Sequence, residues 1–192
     1  MCGRLNIIDD PFSQYVSEQL GLEFSTSQKT ELFPSEQIDC IVSSTEQKLF
    51  TLPLSWGIKP SWSKRLIINA QAESVVTKPT FADAYAYHRV IVPCSGWYEW
   101  KQNELSEKTK YLFSAESHRP LYMAAVGYPQ TQQVVTLTTK PTKHYLRYHH
   151  RMPLILTPQA AMQWLVPSID RHDEILNSLV SDELWQIAKV SW

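Results

Sequence analysis

The sequence predicts an α+β fold with a mainly antiparallel β core, and three observations lead to that prediction. The chain has 192 residues, of which 43% are hydrophobic, enough for one buried core without a second domain. Between residues 47 and 139, segments rich in β-branched and aromatic residues alternate with polar breaks, as in consecutive strands. Helical patterns lie on either side of this region. We therefore expect residues 1–192 to form a single domain.

The first element is a predicted helix. Asp9 and Asp10 precede Pro11, an arrangement typical of a helix cap followed by a first-turn proline. Apolar residues then recur at helical spacing from Phe12 as far as Gly21. These features predict a helix of about ten residues.

Five segments predict the strands of the β core. They are KLFTLPLSW (48–56), HRVIVPCSGWYEW (88–100), KYLFSA (110–115), PLYMAAVGY (120–128) and QQVVTLTT (132–139). RMPLILT (151–157) predicts one more strand. Thr157 and Pro158 then start a helix through QAAMQWLV that Pro167 stops, and a last helix is expected from Asp170 through RHDEILNSLV.

Composition excludes several classes of protein. The five glycines of the chain form no Gly-rich phosphate loop, and we expect no cofactor. No apolar run approaches the about 20 residues that span a bilayer, and no signal-peptide pattern opens the chain. We therefore expect a cytoplasmic protein without a membrane partner. Cys2, Cys40 and Cys94 are odd in number and scattered, which argues against a disulfide framework.

The charge of the chain is unevenly distributed. The net charge is −1, but residues 51–169 hold six acids against 13 bases. The acids are concentrated in residues 1–50, with eight against three bases, and in residues 170–192, with five against two. The middle of the chain is therefore a candidate surface for phosphates.

The opening MCGR places a cysteine directly after the initiator methionine. Removal of Met1, which a small second residue permits, leaves Cys2 with a thiol and a free α-amine. Reference pKa values of about 8.5 for the thiol and about 7.7–8.0 for the amine predict that a modest push from a neighbour yields thiolate and neutral amine near pH 7. This pair can condense with an aldehyde to a five-membered thiazolidine ring. The alternative is an unconstrained, fraying terminus.

SGWYEW (95–100) places Glu99 between aromatic residues. Alternation along a strand puts Trp97 and Glu99 on one face, so an inward Trp97 implies an inward carboxylate, whose pKa burial raises. Glu99 is then a candidate proton-transfer group. The alternative is a salt bridge at the exposed end of the strand.

Two segments carry cations. KPTKHYLRYHHRMP (140–153) contains four cations and His144, His149 and His150 without an acid, which suits either a solvated face or a proton-transfer group beside phosphate contacts. Its cationic setting disfavours zinc, and we expect no metal. In residues 55–74, Lys and Arg alternate with Trp56 and Trp62, a pattern typical of single-stranded nucleic acid binding, although Trp56 also suits the core. Asn69 then follows an apolar LII strand (66–68).

Five segments of the chain together resemble one family. MCGR, WGIKPSW, INAQAES, SGWYEW and HHRMPLIL occur in the order and spacing of the SRAP family, the SOS-response-associated peptidase-like proteins. The resemblance implies a single SRAP-type domain with a barrel-like β core and a few peripheral helices. It further implies a monomer that captures abasic sites in single-stranded DNA as a thiazolidine crosslink, with weak lyase activity and self-removal of Met1.

The resemblance also assigns roles to individual residues. Cys2 matches the nucleophile of the family, Asn69 its active-site Asn, Glu99 its Glu and His149 its His. The matched DNA contacts are Arg4, Trp100 and Arg151. Trp62 is added as a DNA contact from the pattern of cations and aromatic residues in 55–74. The chain departs from the family pattern by keeping only Pro34 of Tyr-Asn-x-Ala-Pro, by Gln71 in place of Arg, by His150 in place of Asp, and by ending at KVSW.

Three alternatives remain at this stage. Glutamine amidotransferases with an N-terminal cysteine also begin Met-Cys-Gly, but their Gly-rich and Asn-Gly signatures are missing here. A thiol peptidase would use Cys2 and His149 as a dyad. A non-enzymatic DNA-binding module with a decayed site is favoured by Gln71 and the short C-terminal end.

Overall fold

The computed structural model describes residues 2–102, 106–116, 119–166, 174–175 and 185–190. The strands of this part are β1 (Leu5–Ile7), β2 (Lys29–Leu32), β3 (Gln37–Ser43), β4 (Leu49–Trp56), β5 (Asn69–Gln71), β6 (Arg89–Cys94), β7 (Gly96–Gln102), β8 (Lys108–Ala115), β9 (Leu121–Tyr128), β10 (Gln133–Thr139), β11 (Met152–Pro153), β12 (Ile155–Leu156) and β13 (Trp185–Val190). The helices are α1 (Phe12–Leu20), α2 (Pro79–Tyr87) and α3 (Pro158–Trp164), with 3₁₀ turns at Ala72–Ser74, Pro129–Thr131 and Tyr145–Arg147.

The strands form two sheets. In the larger sheet, β10, β4, β3, β6 and β9 pair in that order, and β9 pairs again with β10, so the five strands close into a barrel. The smaller sheet has the order β13, β8, β7, β1, β2. Most pairs are antiparallel, whereas β10 runs parallel to β4 and β5. The predicted α+β class with a barrel-like, mainly antiparallel core is confirmed.

A continuous cluster of buried apolar side chains fills the space inside and between the sheets. Trp56, Trp97 and Trp164 are among its largest fully buried members. Cys2, Cys40 and Cys94 are free and buried in the same cluster. Within the described residues, no helix is long and apolar enough to cross a membrane.

The predicted strands of the core are confirmed, with one break. HRVIVPCSGWYEW contains both β6 and β7, which Ser95 separates. This break moves the chain from the barrel to the smaller sheet, so β7 carries Glu99 away from the barrel wall.

Two strand predictions differ from the structure. RMPLILT is not one strand, because Pro153 pairs with β10 and Ile155 with β9, so the segment changes partner at Leu154. The segment LII (66–68) is not a strand, since β5 begins at Asn69 and Ile67 forms only an isolated bridge with Ile58.

The helix ends also refine the predictions. The predicted aspartate cap with a first-turn proline is wrong, because Pro11 is itself the N-cap of α1 and has no side-chain group that could make a capping bond. The Asp9 carboxylate accepts from the Ser13 hydroxyl. Thr157 does cap α3, where its hydroxyl accepts from Ala160 N–H at 3.2 Å. The helix expected from Asp170 through RHDEILNSLV lies outside the described residues except for 174–175.

Candidate active site

Cys2 lies inside the protein, next to the smaller sheet. β1 pairs antiparallel with β7, and Tyr98 N–H donates to the Arg4 carbonyl at 2.9 Å. The same register, continued toward the N-terminus, brings Cys2 beside the part of β7 that carries Glu99. The Cys2 side chain is 1% exposed, so the candidate nucleophile is sheltered rather than frayed.

The surroundings of Cys2 act on its thiol in the direction opposite to the sequence-based expectation. Burial raises the pKa of the Cys2 thiol well above its ordinary value, and the nearby negative charge of Glu99 raises it further. The expected fraction of thiolate near pH 7 is therefore wrong, because a buried sulfur favours the neutral form. A base must take the thiol proton when the sulfur reacts.

Asn69 connects Cys2 to the barrel. β5 holds Asn69 in parallel register with Thr136 of β10, and the Thr136 hydroxyl donates to Asn69 Oδ1 at 2.7 Å. Asn69 Nδ2 then donates to the carbonyl oxygen of Cys2 at 2.8 Å. With both ends of its amide engaged, Asn69 fixes the main chain at Cys2.

Glu99 points inward, as alternation along β7 predicts. Trp97 is fully buried and Glu99 is 2% exposed, so the alternative of a salt bridge at an exposed strand end is wrong. Burial raises the pKa of the Glu99 carboxyl, while a hydrogen bond from Tyr145 lowers it. A carboxyl with a raised pKa beside a thiol is suited to proton transfer.

His149 follows the 3₁₀ turn Tyr145–Arg147. Its Nδ1 lies 3.0 Å from Arg151 N and 2.9 Å from Arg151 O, and its ring stacks on that of His150 with centroids 4.3 Å apart. Burial lowers the pKa of His149, and the charge of His150 lowers it further. Near neutral pH the imidazole is therefore uncharged, the form that accepts a proton.

A cleft of about 300 Å³ opens between these elements. Its lining includes Asn69, Gln71, Lys78, Phe81, His150 and Arg151. Residues from β5, the start of α2 and the segment after the 3₁₀ turn thus meet at one surface. A larger groove of about 520 Å³, lined by Phe50, Tyr87, Leu165 and other mainly apolar residues, contains none of the predicted site residues.

Arg4 and Trp100 lie on the other side of β7. The Arg4 guanidinium stacks over the Phe33 ring at 3.5 Å and lies 5.3 Å from the Trp100 ring centroid. Glu31 binds both Arg4 and Lys110, and these hydrogen bonds, led by that from Lys110, lower the pKa of its carboxyl. Arg4, which is predicted to contact a phosphate, is therefore already paired with Glu31 of β2.

Arg151 is paired in the same way. Its Nη1 and Nη2 donate to the two carboxylate oxygens of Glu73 at 3.1 and 2.7 Å, and Nη2 also donates to the Thr138 carbonyl. Partial burial raises the pKa of Glu73, but the hydrogen bonds from Arg151 and the Lys140 N–H outweigh it and the pKa is lowered. Both sets of bonds orient the guanidinium at the cleft.

The two tryptophans of residues 55–74 separate into different environments. Trp56 is fully buried and donates to the Ile68 carbonyl at 3.1 Å, so it belongs to the core. Trp62 is 68% exposed and lies in the segment between β4 and β5, which leaves its ring accessible for stacking.

Sequence reasoning missed the acids and the hydroxyl that organise this site. In the sequence, Glu31 and Glu73 contribute only to the net charge, because pairing across distant segments leaves no local pattern. Thr136 did carry a signal, since polar Thr136 and Thr138 alternate with apolar residues along β10. Among the described residues, no three His, Cys, Asp or Glu side chains are grouped closely enough to hold a metal ion.

Comparison with known proteins gives relatives over most of the chain. The abasic site processing protein YoqW of Bacillus subtilis is 30% identical over 197 residues, which covers 94% of this chain and 86% of that protein. The abasic site processing protein YedK of Escherichia coli is 28% identical over 132 residues, covering 65% of this chain. This match spans 59% of the length of the E. coli protein.

Solved structures share the fold. A phage-related protein from Bordetella bronchiseptica superposes with a TM-score of 0.83 at 22% identity, covering 100% of this chain and 95% of that one. A second B. bronchiseptica protein has a TM-score of 0.80 at 18% identity and covers both chains fully. The family model for the SOS response associated peptidase (SRAP) matches residues 1–191, and the chain therefore belongs to the SRAP family.

Proposed function

We propose that this protein processes abasic sites in single-stranded DNA by trapping the ring-opened deoxyribose on Cys2, once Met1 has been removed. The observation that carries the proposal is the junction of Cys2, Asn69 and Glu99 inside the fold, beside the cationic cleft. The names of the relatives, which describe abasic site processing, supply the substrate.

The covalent step proceeds in two stages. The α-amine of Cys2 adds to the C1′ aldehyde, and loss of one water gives an imine. The thiol then adds across the C=N bond, with the sulfur bonding to carbon and the proton ending on nitrogen, which closes the thiazolidine. Because burial keeps the Cys2 thiol neutral, Glu99 accepts its proton and returns it to the nitrogen.

The aldehyde must first form from the closed sugar. His149 removes the proton from the C1′ hydroxyl, and the ring oxygen gains a proton as the C1′–O bond breaks. Burial keeps the imidazole neutral. In the tautomer whose Nδ1–H donates to the Arg151 carbonyl, Nε2 carries the lone pair that accepts this proton. Asn69 positions Cys2 through its main-chain carbonyl.

The imine stage also permits β-elimination, in which the C2′ proton is lost and the 3′ C–O bond breaks. Ring closure by the neighbouring thiol competes with this reaction. The lyase activity of the protein is therefore weak, and it increases when the thiol is absent.

DNA binding in this proposal combines stacking and charge. Trp62 and Trp100 stack on unpaired bases. Arg4 and Arg151 bind phosphates, which compete for these guanidinium groups with the carboxylates of Glu31 and Glu73. Gln71 supplies no cation, whereas Lys78 lines the same cleft and contributes the positive charge there. This surface favours single-stranded DNA, because stacking on a tryptophan requires an unpaired base.

A mass measurement tests the proposal. Purified protein is mixed with a single-stranded oligonucleotide that carries one abasic site, and we expect a heat-stable adduct. Its mass equals that of the protein without Met1 plus that of the DNA minus one water. Cys2→Ala, which still permits removal of Met1, yields no heat-stable adduct and cleaves more DNA.

Cys40→Ala is the matched control, because it removes another buried thiol from β3 and should leave the adduct unchanged. Wild-type protein that lacks Met1 and still forms no adduct contradicts the proposal. Ammonia release from glutamine would instead favour an amidotransferase.

A further inference from the structure

Tyr145 is a fully buried tyrosine within the basic segment 140–153. It opens the 3₁₀ turn that precedes His149, and its N–H donates to the Thr142 hydroxyl at 3.1 Å. The His149 N–H donates to the Tyr145 carbonyl at 3.3 Å. A tyrosine at this place therefore ties the histidine segment to the interior of the site.

The phenol of Tyr145 connects two side chains of β7. Trp97 Nε1 donates to Tyr145 Oη at 3.1 Å, and Tyr145 is hydrogen-bonded to the Glu99 carboxyl. Trp97 and Glu99 share one face of the strand, so a single hydroxyl reaches both. Because the tryptophan N–H can only donate, the phenol proton is directed to Glu99.

Packing holds the phenol in this position. The Tyr145 ring lies 4.9 Å from the ring of Phe113 and 6.2 Å from that of Trp185, measured between centroids. Aromatic neighbours on three sides, including Trp97, leave little freedom for another rotamer. The hydroxyl is therefore a preorganised donor.

The charge state of Glu99 depends on the groups that face it and on its burial. In the described part of the chain, the Cys2 thiol and the phenol of Tyr145 face it, and its cross-strand neighbour on β8 is Tyr111. Burial raises the pKa of Glu99, whereas the Tyr145 hydrogen bond lowers it. Donation by Tyr145 thus opposes the effect of burial and favours the ionised carboxylate.

We propose that Tyr145 is a positioning residue that aims the Glu99 carboxyl at Cys2 and favours its ionised form. Only the predicted effect on the crosslinking rate rests on the proposed function. Glu99 must be a carboxylate to accept the thiol proton, so the phenol acts through it and touches no reacting atom.

The test is Tyr145→Phe, which keeps the ring and removes the hydroxyl. Loss of a hydrogen bond to a charged group raises the Glu99 pKa by about one pH unit. On the acid side of the pH profile, the crosslinking rate falls because Glu99 becomes protonated. This acid limb moves to higher pH by the same amount. At a pH on this limb the rate falls about tenfold.

Two variants serve as comparisons. Tyr122→Phe removes the hydroxyl of another buried tyrosine. That hydroxyl donates to the Gln19 side chain at 2.9 Å, so its loss should leave the pH profile of crosslinking unchanged. Trp97→Phe removes the donor that orients the phenol and should shift the profile in the same direction by less. A purely structural role of Tyr145 would lower the rate equally at every pH.

A second readout does not need DNA. The Glu99 carboxyl is titrated by ¹³C NMR in DNA-free protein, with Glu99→Gln identifying its signal. An upward shift in Tyr145→Phe supports the inference even if wild-type protein forms no adduct, an outcome that contradicts only the proposed function. Equal Glu99 midpoints in wild type and Tyr145→Phe overturn the inference.

Discussion

At Cys2, burial changes the chemistry that the residue type suggests. A free cysteine near neutral pH is partly thiolate, whereas the buried Cys2 thiol stays protonated. In the proposed reaction the amine is consequently the first nucleophile, and the thiol reacts only when Glu99 takes its proton. The order of the two bonds is thus set by the environment of the sulfur.

Asn69 offers a test at the same scale. Asn69→Ala removes the bond to the Cys2 carbonyl, and we expect the crosslinking rate to fall at least about tenfold. The free energy of unfolding should fall by about 1–2 kcal/mol. Gel assays of adduct formation and urea unfolding measure the two effects.

Thr26→Val is the comparison for Asn69→Ala. It removes a hydroxyl that bonds Asp39 at 2.7 Å, away from Cys2, and should affect stability without affecting the rate. A wild-type rate in Asn69→Ala would show that Cys2 needs no anchor at its carbonyl.

At the scale of elements, β7 positions the site because its register is fixed on both sides. Gly96 lies opposite Asn6 of β1 and Ser114 of β8. A Cβ at Gly96 would lie 2.3 Å from the Phe113 carbonyl oxygen, which is main chain and cannot move aside easily. The close approach of β8 therefore requires glycine here.

Gly96→Ala should lower the free energy of unfolding by about 2–3 kcal/mol. Displacement of β7 also moves Glu99, so the crosslinking rate falls in the folded fraction. Urea unfolding and adduct formation at a temperature where the variant is folded measure both.

Gly21→Ala is the control that distinguishes the steric contact at Gly96 from the general cost of replacing a glycine. Gly21 has φ +68° with open space around it, so alanine costs about 1 kcal/mol from backbone conformation alone. We expect an unchanged crosslinking rate. If Gly96→Ala were as stable as wild type, the register of β7 would not depend on that close approach.

At the scale of the whole molecule, the uneven charge is partly neutralised by folding. Acids from distant segments, Glu31 and Glu73, pair with Arg4, Lys110 and Arg151. These three cations are consequently ordered, and phosphates must displace carboxylates to reach them. Binding should therefore weaken with rising salt concentration.

Trp62 provides the prediction at this scale. In a Cys2→Ala background, which prevents crosslinking, Trp62→Ala should weaken binding of single-stranded DNA about tenfold or more, because one stacked base contributes about 1–3 kcal/mol. Fluorescence anisotropy over a salt series measures the affinity. Tyr87→Ala removes a similarly exposed aromatic ring beside the larger groove and should leave the affinity for single-stranded DNA unchanged. Equal affinities of the two variants would show that Trp62 does not contact the DNA.

The sequence by itself determined the strands of the core, the cap of α3, and the candidates Cys2, Asn69, Glu99 and His149. These features have local signals: β-branched runs, a capping threonine, and polar residues at unusual places in apolar segments. Short strands such as β1 and β5 lacked such signals, because three residues do not establish a period.

Only the tertiary structure decided which of these residues meet and in which charge state. The Asn69 bond to Cys2, the acids that hold Arg4 and Arg151, and the phenol of Tyr145 beside Glu99 all join segments far apart in the chain. Burial then raised the pKa of Cys2 and Glu99 and lowered that of His149. Desolvation depends on everything packed around a group, and no local stretch of sequence contains that information.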